Sequence, residues 1–141
     1  MNANTLSTVR RRMMFELDVR SRKPIYEQLM DQMKDLIIME VLKENERLPS
    51  VRALAKELTI NPNTIQKAFK QLEMEGFIYT LSGKGSFVSP PNEMRNAMKQ
   101  EKIKNELAKI VREALFMGIS LREIYDIVQR INEGIGGEQL D

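Results

Sequence analysis

Residues 48–88 read LPSVRALAKELTINPNTIQKAFKQLEMEGFIYTLSGKGSFV, and their pattern decides the fold. Ser50 is an N-cap, with a hydroxyl oxygen able to accept from a first-turn amide that has no partner inside the helix. The helix it opens carries Leu54, Ala55 and Leu58 on one face and turns Lys56 and Glu57 outward. Thr59-Ile60 reads as a turn. Asn61-Pro62 then restarts the chain with a second N-cap and a proline at the first helical position, where a missing N–H costs nothing. This helix, Pro62 to Glu75, spaces Ile65, Ala68, Phe69 and Leu72 at three and four residues, and Gly76 stops it. Phe77 to Leu81 reads as a strand, Ser82-Gly83-Lys84-Gly85 as a turn and Ser86 to Ser89 as the returning strand. The expected fold class is mainly α with a small β-hairpin wing, a winged helix-turn-helix.

The side of the second helix opposite its apolar stripe presents Asn63, Lys67 and Lys70, flanked by Thr64, Gln66 and Gln71. Amides, a hydroxyl and cations without a carboxylate suit phosphates and base edges. Lys84 at the hairpin tip could reach a phosphate or a minor groove. A nucleotide-binding loop at Gly83-Lys84-Gly85 is excluded by spacing, since Gly76 lies too far upstream and Lys84 is followed by Gly rather than Ser or Thr.

Working outward toward the N-terminus, Pro24 to about Val41 places Ile25, Leu29, Met33, Leu36 and Ile37 at helical spacing, a helix to cover the core of the first two. Phe15 to Val19 alternates apolar and acidic residues, the pattern of a short half-buried strand. Residues 1–14 show no apolar periodicity and include Arg10-Arg11-Arg12, a flexible basic arm. It is read either as a leader without a role or as an arm for a phosphate backbone or minor groove. Residues 15–89 thus form the expected winged domain.

Toward the C-terminus, Pro90-Pro91-Asn92 marks a boundary, because consecutive prolines continue neither a strand nor a helix interior. Beyond it, residues 92–135 read as a two-helix tail. Met94 to Phe116 aligns Ile103, Leu107, Ile110, Val111, Ala114 and Leu115, and Gly118 ends the helix. Ser120-Leu121-Arg122-Glu123 is a capping box opening a final helix with Leu121, Ile124, Val128 and Ile131 on one face, terminated by Gly134, Gly136 and Gly137. So small a tail cannot bury these stripes alone. They pack either on the winged domain of the same chain or on the tail of a second chain, and the proline boundary favours the second.

Among 141 residues there is no cysteine and no histidine, which removes disulfides, Cys-based zinc sites, the usual catalytic triads and histidine general bases. No enzyme constellation and no cofactor is expected. No apolar run approaches the ~18 residues of a membrane span, and no signal-peptide pattern opens the chain, so a cytoplasmic protein without a membrane partner is expected. The net charge of +2 is unevenly spread: +4 over residues 1–23, −4 over 24–46, +3 over 47–89 and −1 over 90–141. Positive charge therefore falls on the helix-turn-helix segment and on the arm before it.

Read in order, Pro24-Ile25-Tyr26-Glu27-Gln28-Leu29, Leu48-Pro49-Ser50-Val51-Arg52-Ala53-Leu54-Ala55, Leu72-Glu73-Met74-Glu75-Gly76-Phe77 and Gly83-Lys84-Gly85-Ser86-Phe87-Val88 resemble the GntR family of bacterial transcription regulators. Asn61 to Ala68 and the short helical tail look most like its YtrA subfamily, which lacks the large effector-binding domain of most members. The resemblance implies that Arg52 matches the family arginine that contacts DNA. It also implies that Asn61, Asn63 and Thr64 fall where polar residues enter the major groove, Gln66 where other branches carry arginine, and Gly83-Lys84-Gly85, after Ser82, at the wing tip. Pro62 departs from an arginine common in other branches, so a base contact there is not carried over.

Each residue also has a plainer reading. Arg52 could pair with the acidic first helix, a surface ion pair worth about 0–1 kcal/mol. Asn61 serves mainly as a cap, Thr64 could be an ordinary first-turn residue, and Lys67 and Lys70 could form a solvated face. Their convergence on one helix face beside a basic wing favours DNA. The resulting expectation is a homodimeric repressor binding an inverted-repeat operator in double-stranded DNA, dimerised through Ile103, Leu107, Ile110, Val111, Leu115, Ile124 and Val128. A winged-helix protein-interaction module without DNA binding is the alternative. The resemblance suggests a transporter operon as target. So short a tail leaves little room for a ligand pocket, although an unknown small-molecule effector could bind between the tail and the winged domain.

Overall fold

The computed structural model of the chain describes residues 15–137. The basic arm expected at residues 1–14 lies outside the described residues. In chain order the elements are α1 (Ile25–Ile38), α2 (Val51–Leu58), α3 (Pro62–Met74), β1 (Ile78–Leu81), β2 (Gly85–Val88), α4 (Glu93–Phe116) and α5 (Leu121–Gly137). The chain divides into two compact units, Met1–Asn96 and Ala97–Asp141.

The first unit is organised by caps and by one apolar core. Ser50 Oγ accepts from the Ala53 amide at 3.0 Å and opens α2. Asn61 Oδ1 accepts from the Asn63 amide at 2.9 Å, with Pro62 following as the first residue of α3. Between these helices Thr59 turns the chain in the left-handed region, φ 56° and ψ 50°. The apolar faces converge as their spacing requires. Leu29, Met33 and Ile37 of α1, Leu54 and Ala55 of α2, and Ile65, Ala68, Phe69 and Leu72 of α3 are all buried. Leu48, Phe77, Ile78 and Val88 close the core from the hairpin side. Full burial of a side chain such as Leu or Ile is worth about 1.5–3 kcal/mol, so this set outweighs the surface ion pairs.

α1 ends at Ile38 rather than running to about Val41. Met39 is its C-cap and Glu40 takes φ 59°, while the amides of Val41 and Glu40 donate to the carbonyls of Leu36 and Ile37. This is a Schellman termination built on a glutamate. At the other side of the helix, Lys34 pairs with Glu75 at 2.6 Å and stands 5.4 Å from the Phe77 ring centroid, tying α1 to the end of α3.

β1 and β2 pair antiparallel in the register Ile78 with Val88 through Leu81 with Gly85. Their outer aromatics, Tyr79 and Phe87, stack with centroids 5.5 Å apart. A third chain segment flanks β2, which sequence periodicity does not announce because it is so short. Leu48 N–H donates to the Ser86 carbonyl, Val88 N–H to the Glu46 carbonyl and Asn45 N–H to the Val88 carbonyl, with Arg47 bridging to Phe87. The Tyr79 hydroxyl donates to Asn45 Oδ1 at 2.9 Å and fastens the same segment from its side chain.

Phe15 to Val19 is not a strand: it is irregular chain, although its half-buried residues Phe15 and Leu17 do alternate with exposed Glu16 and Asp18. The alternation is satisfied by side chains instead of a neighbouring strand. The amide of Gln28 accepts from Asp18 N–H at 2.8 Å and donates to the Asp18 carbonyl at 2.9 Å. The amide of Gln32 does the same for Glu16, at 2.8 and 2.6 Å. Residues two apart in an extended chain and four apart on a helix both recur at roughly 6–7 Å, so glutamines one turn apart act as ladder partners.

The second unit holds most of α4 and all of α5. Ser120 and Glu123 form the expected capping box, Glu123 N–H donating to Ser120 Oγ at 3.1 Å and Ser120 N–H to Glu123 Oε2 at 2.8 Å. α5 runs to Gly137, passing through Gly134 and Gly136 of the glycine cluster expected to terminate it; each glycine costs a helix interior only about 1 kcal/mol. The expected stripe residues are left largely in solvent: Ile103, Leu107, Ile110, Leu115 and Val128 are exposed, and Val111, Ala114 and Ile124 are half-buried.

Candidate nucleic-acid interface

The outward surface of α3 follows from what its inner surface must bury. With Ile65, Ala68, Phe69 and Leu72 in the core, a rotation of about 100° per residue sends Asn63, Gln66, Lys67 and Lys70 to the far side, within an arc of about 100°. All four are exposed. The side-chain amides of Asn63 and Gln66 have no hydrogen-bond partner among the described residues, so both keep donor and acceptor capacity for a base edge or a phosphate.

The other expected residues divide by environment. Asn61 is exposed, but its side-chain oxygen is committed to the cap, leaving only its NH₂ to give. Thr64 is half-buried and lines a groove with Leu17, Val19 and Ile60, which makes it the least available member of the set. Arg52 projects from the first turn of α2 into solvent, without an ion-pair partner among the described residues. The surface ion pair with acidic α1 that would have given it a plainer role is not formed. Ser82, Gly83 and Lys84 are exposed at the hairpin tip, where Lys84 N–H donates to the Leu81 carbonyl and Gly83 takes φ 75°. Gly85 is half-buried at the start of β2 with φ 112°.

Lys67 is placed more specifically than its sequence position suggests. Its ammonium stands 3.9 Å from the centroid of the Tyr26 ring, a cation–π contact between α3 and α1. Tyr26 in turn donates from its hydroxyl to Glu27 Oε1 at 3.1 Å, and that bond, more than burial, raises the phenol above its ordinary range. Lys23, nearby on the same groove, is bonded to Asp31, and this ion pair raises its ammonium as well. The ring thus holds a lysine without neutralising it.

Arg47 is a residue that sequence reasoning passed over. It lies in the short segment paired with β2, is exposed, and packs its guanidinium against Gly85, where an added Cβ would come within 3.1 Å of Nε. Its basic character was visible in the sequence, but its pairing with the wing was not.

Two helices joined by a left-handed turn, the second with a polar and cationic outer face, and a hairpin with a basic tip define a winged helix-turn-helix DNA-binding protein. A family model for bacterial regulatory proteins of the gntR family matches residues 25–88. The chain is 38% identical over 130 residues to the HTH-type transcriptional repressor YtrA of Bacillus subtilis, covering 91% of this chain and 100% of that protein. A transcriptional regulator from Oenococcus oeni has a similar structure, with a TM-score of 0.55 and 34% identity over 82% of this chain and 96% of that one. YtrA from Sulfolobus acidocaldarius, a GntR-family transcription factor, gives 0.50 and 32% over 86% and 99%. The chain belongs to the GntR family, in its YtrA subfamily. It is a DNA-binding transcriptional regulator and not an enzyme. Among the described residues no helix is long and apolar enough to cross a membrane.

Proposed function

We propose that the chain is a homodimeric repressor whose α3 helices enter successive major grooves of an inverted-repeat operator. The observation that carries this reading is the outer face of α3, where Asn63, Gln66, Lys67 and Lys70 are exposed together and no carboxylate interrupts them. In this arrangement Asn63 and Gln66 read base edges, with a smaller part for Thr64. Arg52, Lys67, Lys70 and Lys84 hold phosphates, and the tip formed by Ser82, Gly83 and Gly85 brings backbone close to the duplex. The NH₂ of Asn61 is left for a phosphate. Repression is supported by the Bacillus subtilis relative, a transcriptional repressor. The resemblance to the YtrA subfamily favours a transporter operon as the target, and the cytoplasm, at the nucleoid when bound, as the place of action.

Dimerisation is supported by the second unit. Soluble monomers rarely leave a large contiguous apolar surface in water. Here Ile103, Leu107, Ile110 and Leu115 of α4 and Tyr125, Val128 and Ile131 of α5 are about half exposed or more. A second copy of the same tail covers these stripes with matching stripes, and the resulting two-fold axis matches a palindromic site.

The test is selection of binding sites from random duplex DNA by the full chain at two salt concentrations, with the mass of the complex measured by light scattering. An enriched inverted repeat carrying two chains is the expected result, and its genomic position checks the transporter assignment. Sequence-blind binding that vanishes as salt rises would leave only an electrostatic face and overturn the proposal.

A further inference from the structure

Arg95 lies in the first turn of α4 with only 5% of its surface exposed. Its backbone N–H donates to Asn92 Oδ1 at 2.8 Å, and its Nη1 donates to the Ser89 carbonyl. Its Nε is buried with no acceptor among the described residues. Guanidinium presents its donors in a rigid planar fork, so a bond made at Nη1 does nothing for Nε. Burial pulls the pKa of this group downward, and the nearby carboxylates of Glu44 and then Glu40 oppose that pull. A buried charged group with an unmade bond is a costly feature that calls for a partner.

The same side chain lines a cleft of about 270 Å³ together with Glu40, Leu42, Lys43, Glu44 and Pro91. The wall carries two cations, Lys43 and Arg95, and two anions, Glu40 and Glu44. A simple anion would satisfy the guanidinium and be repelled by the glutamates; a simple cation would leave Nε unmet. The volume is just below the range of about 300–1,000 Å³ that holds drug-sized ligands, and suits a molecule the size of an amino acid.

We propose that this cleft binds a small zwitterion. Its carboxylate accepts from the guanidinium of Arg95, its ammonium faces Glu40 and Glu44, and its carbon skeleton lies along Leu42 and Pro91. The site belongs wholly to the first unit and does not depend on how α3 meets DNA.

The test uses the full chain, labelled with ¹⁵N, titrated with the amino acids glycine, β-alanine, 4-aminobutyrate and 5-aminopentanoate, in which the two charges move progressively apart. Pentanoate and pentylamine, each with one of the charges, are the controls. Saturable shifts of the Glu40, Lys43, Glu44 and Arg95 amides are expected in the millimolar range or tighter for one favoured length, with each control weaker by about tenfold or more. Arg95→Met should abolish the shifts. Because that variant also removes a buried side chain, Glu44→Gln, on an exposed residue, gives an independent reading: it should narrow the preference for the favoured zwitterion over pentanoate by roughly threefold or more. No saturable shift with any amino acid, pentanoate binding as well as the zwitterions, or an unchanged preference in Glu44→Gln would each overturn the proposal.

Discussion

The ammonium of Lys67 stands over the ring of Tyr26, 3.9 Å from its centroid, so an aromatic from α1 holds a cation on the outward face of α3. The contact fixes the position of the charge and leaves its N–H groups available to a phosphate oxygen. Lys67→Met should therefore reduce the slope of log affinity against log salt by about 1, the signature of one lost phosphate contact. Tyr26→Leu keeps the charge but releases it. The slope should stay the same while operator affinity falls about two- to fivefold, the worth of an exposed cation–π contact. Binding measured over a salt series separates the two variants. An unchanged slope for Lys67→Met would remove Lys67 from the interface.

Arg52 and Gln66 are both exposed, yet their chemistry predicts different phenotypes. Arg52→Ala removes a point charge and should weaken binding to operator and random DNA alike, with a smaller salt slope. Gln66 has an uncommitted amide on the outer face of α3. Gln66→Ala should relax the preference at one base position, worth about 1–3 kcal/mol of discrimination, with little change in slope. Repeating site selection with each variant distinguishes them, and a uniform loss of affinity in both would mean that Gln66 touches only the backbone.

The helices of the first unit were legible because each buried residue of α3 sits on one arc and both caps are local. Asn61-Pro62 and Ser50 act over two or three residues, a range that sequence displays directly. Partners distant in sequence were not legible. Phe15–Val19 alternates like a strand, but nothing in its own residues says that Gln28 and Gln32 supply the ladder. Arg47 and Asn45 join the wing through bonds to a chain some forty residues away. Arg95 reads as one more polar residue in a helix with an exposed face, and its burial depends on how Ser89 and Pro91 return past the end of α1. On the outer face of α3, the exposure of Asn63, Gln66 and Lys70 followed from helical phase alone. The anchoring of Lys67 and the partial burial of Thr64 required the packing of α1 and of the segment before it.

Thr59 occupies φ 56° and ψ 50° between α2 and α3. Left-handed backbone costs a residue with a Cβ about 1–2 kcal/mol, and a β-branched one is the least suited to it. Glycine removes that cost but loses some back through its freedom in the unfolded chain. Thr59→Gly should stabilise by roughly 0.5–1 kcal/mol and raise the melting temperature by a few degrees. Thr59→Ala, which keeps a Cβ, should gain less. Thermal unfolding of the three proteins checks the order. A fall in stability for Thr59→Gly would mean that the threonine side chain makes up for its backbone.

Gly85 combines two constraints that its neighbour Gly83 has only in part. At φ 112° its backbone disfavours any side chain, and a Cβ would lie 3.1 Å from Arg47 Nε. At Gly83 the backbone is also left-handed, φ 75°, but the space around it is open. Gly83→Ala should thus cost about 1 kcal/mol from backbone alone, whereas Gly85→Ala should cost about 1–3 kcal/mol and displace the guanidinium. The damage should be local. The amides of Leu48 and Val88, which bind the Ser86 and Glu46 carbonyls across the same pairing, should exchange faster with solvent deuterium in Gly85→Ala, while those of α3 keep their protection. Adding Arg47→Ala tests the division. It should recover the steric share of the loss and leave the backbone share, bringing Gly85→Ala down to the level of Gly83→Ala. If the double variant recovers nothing, backbone strain accounts for the whole effect and Arg47 yields freely.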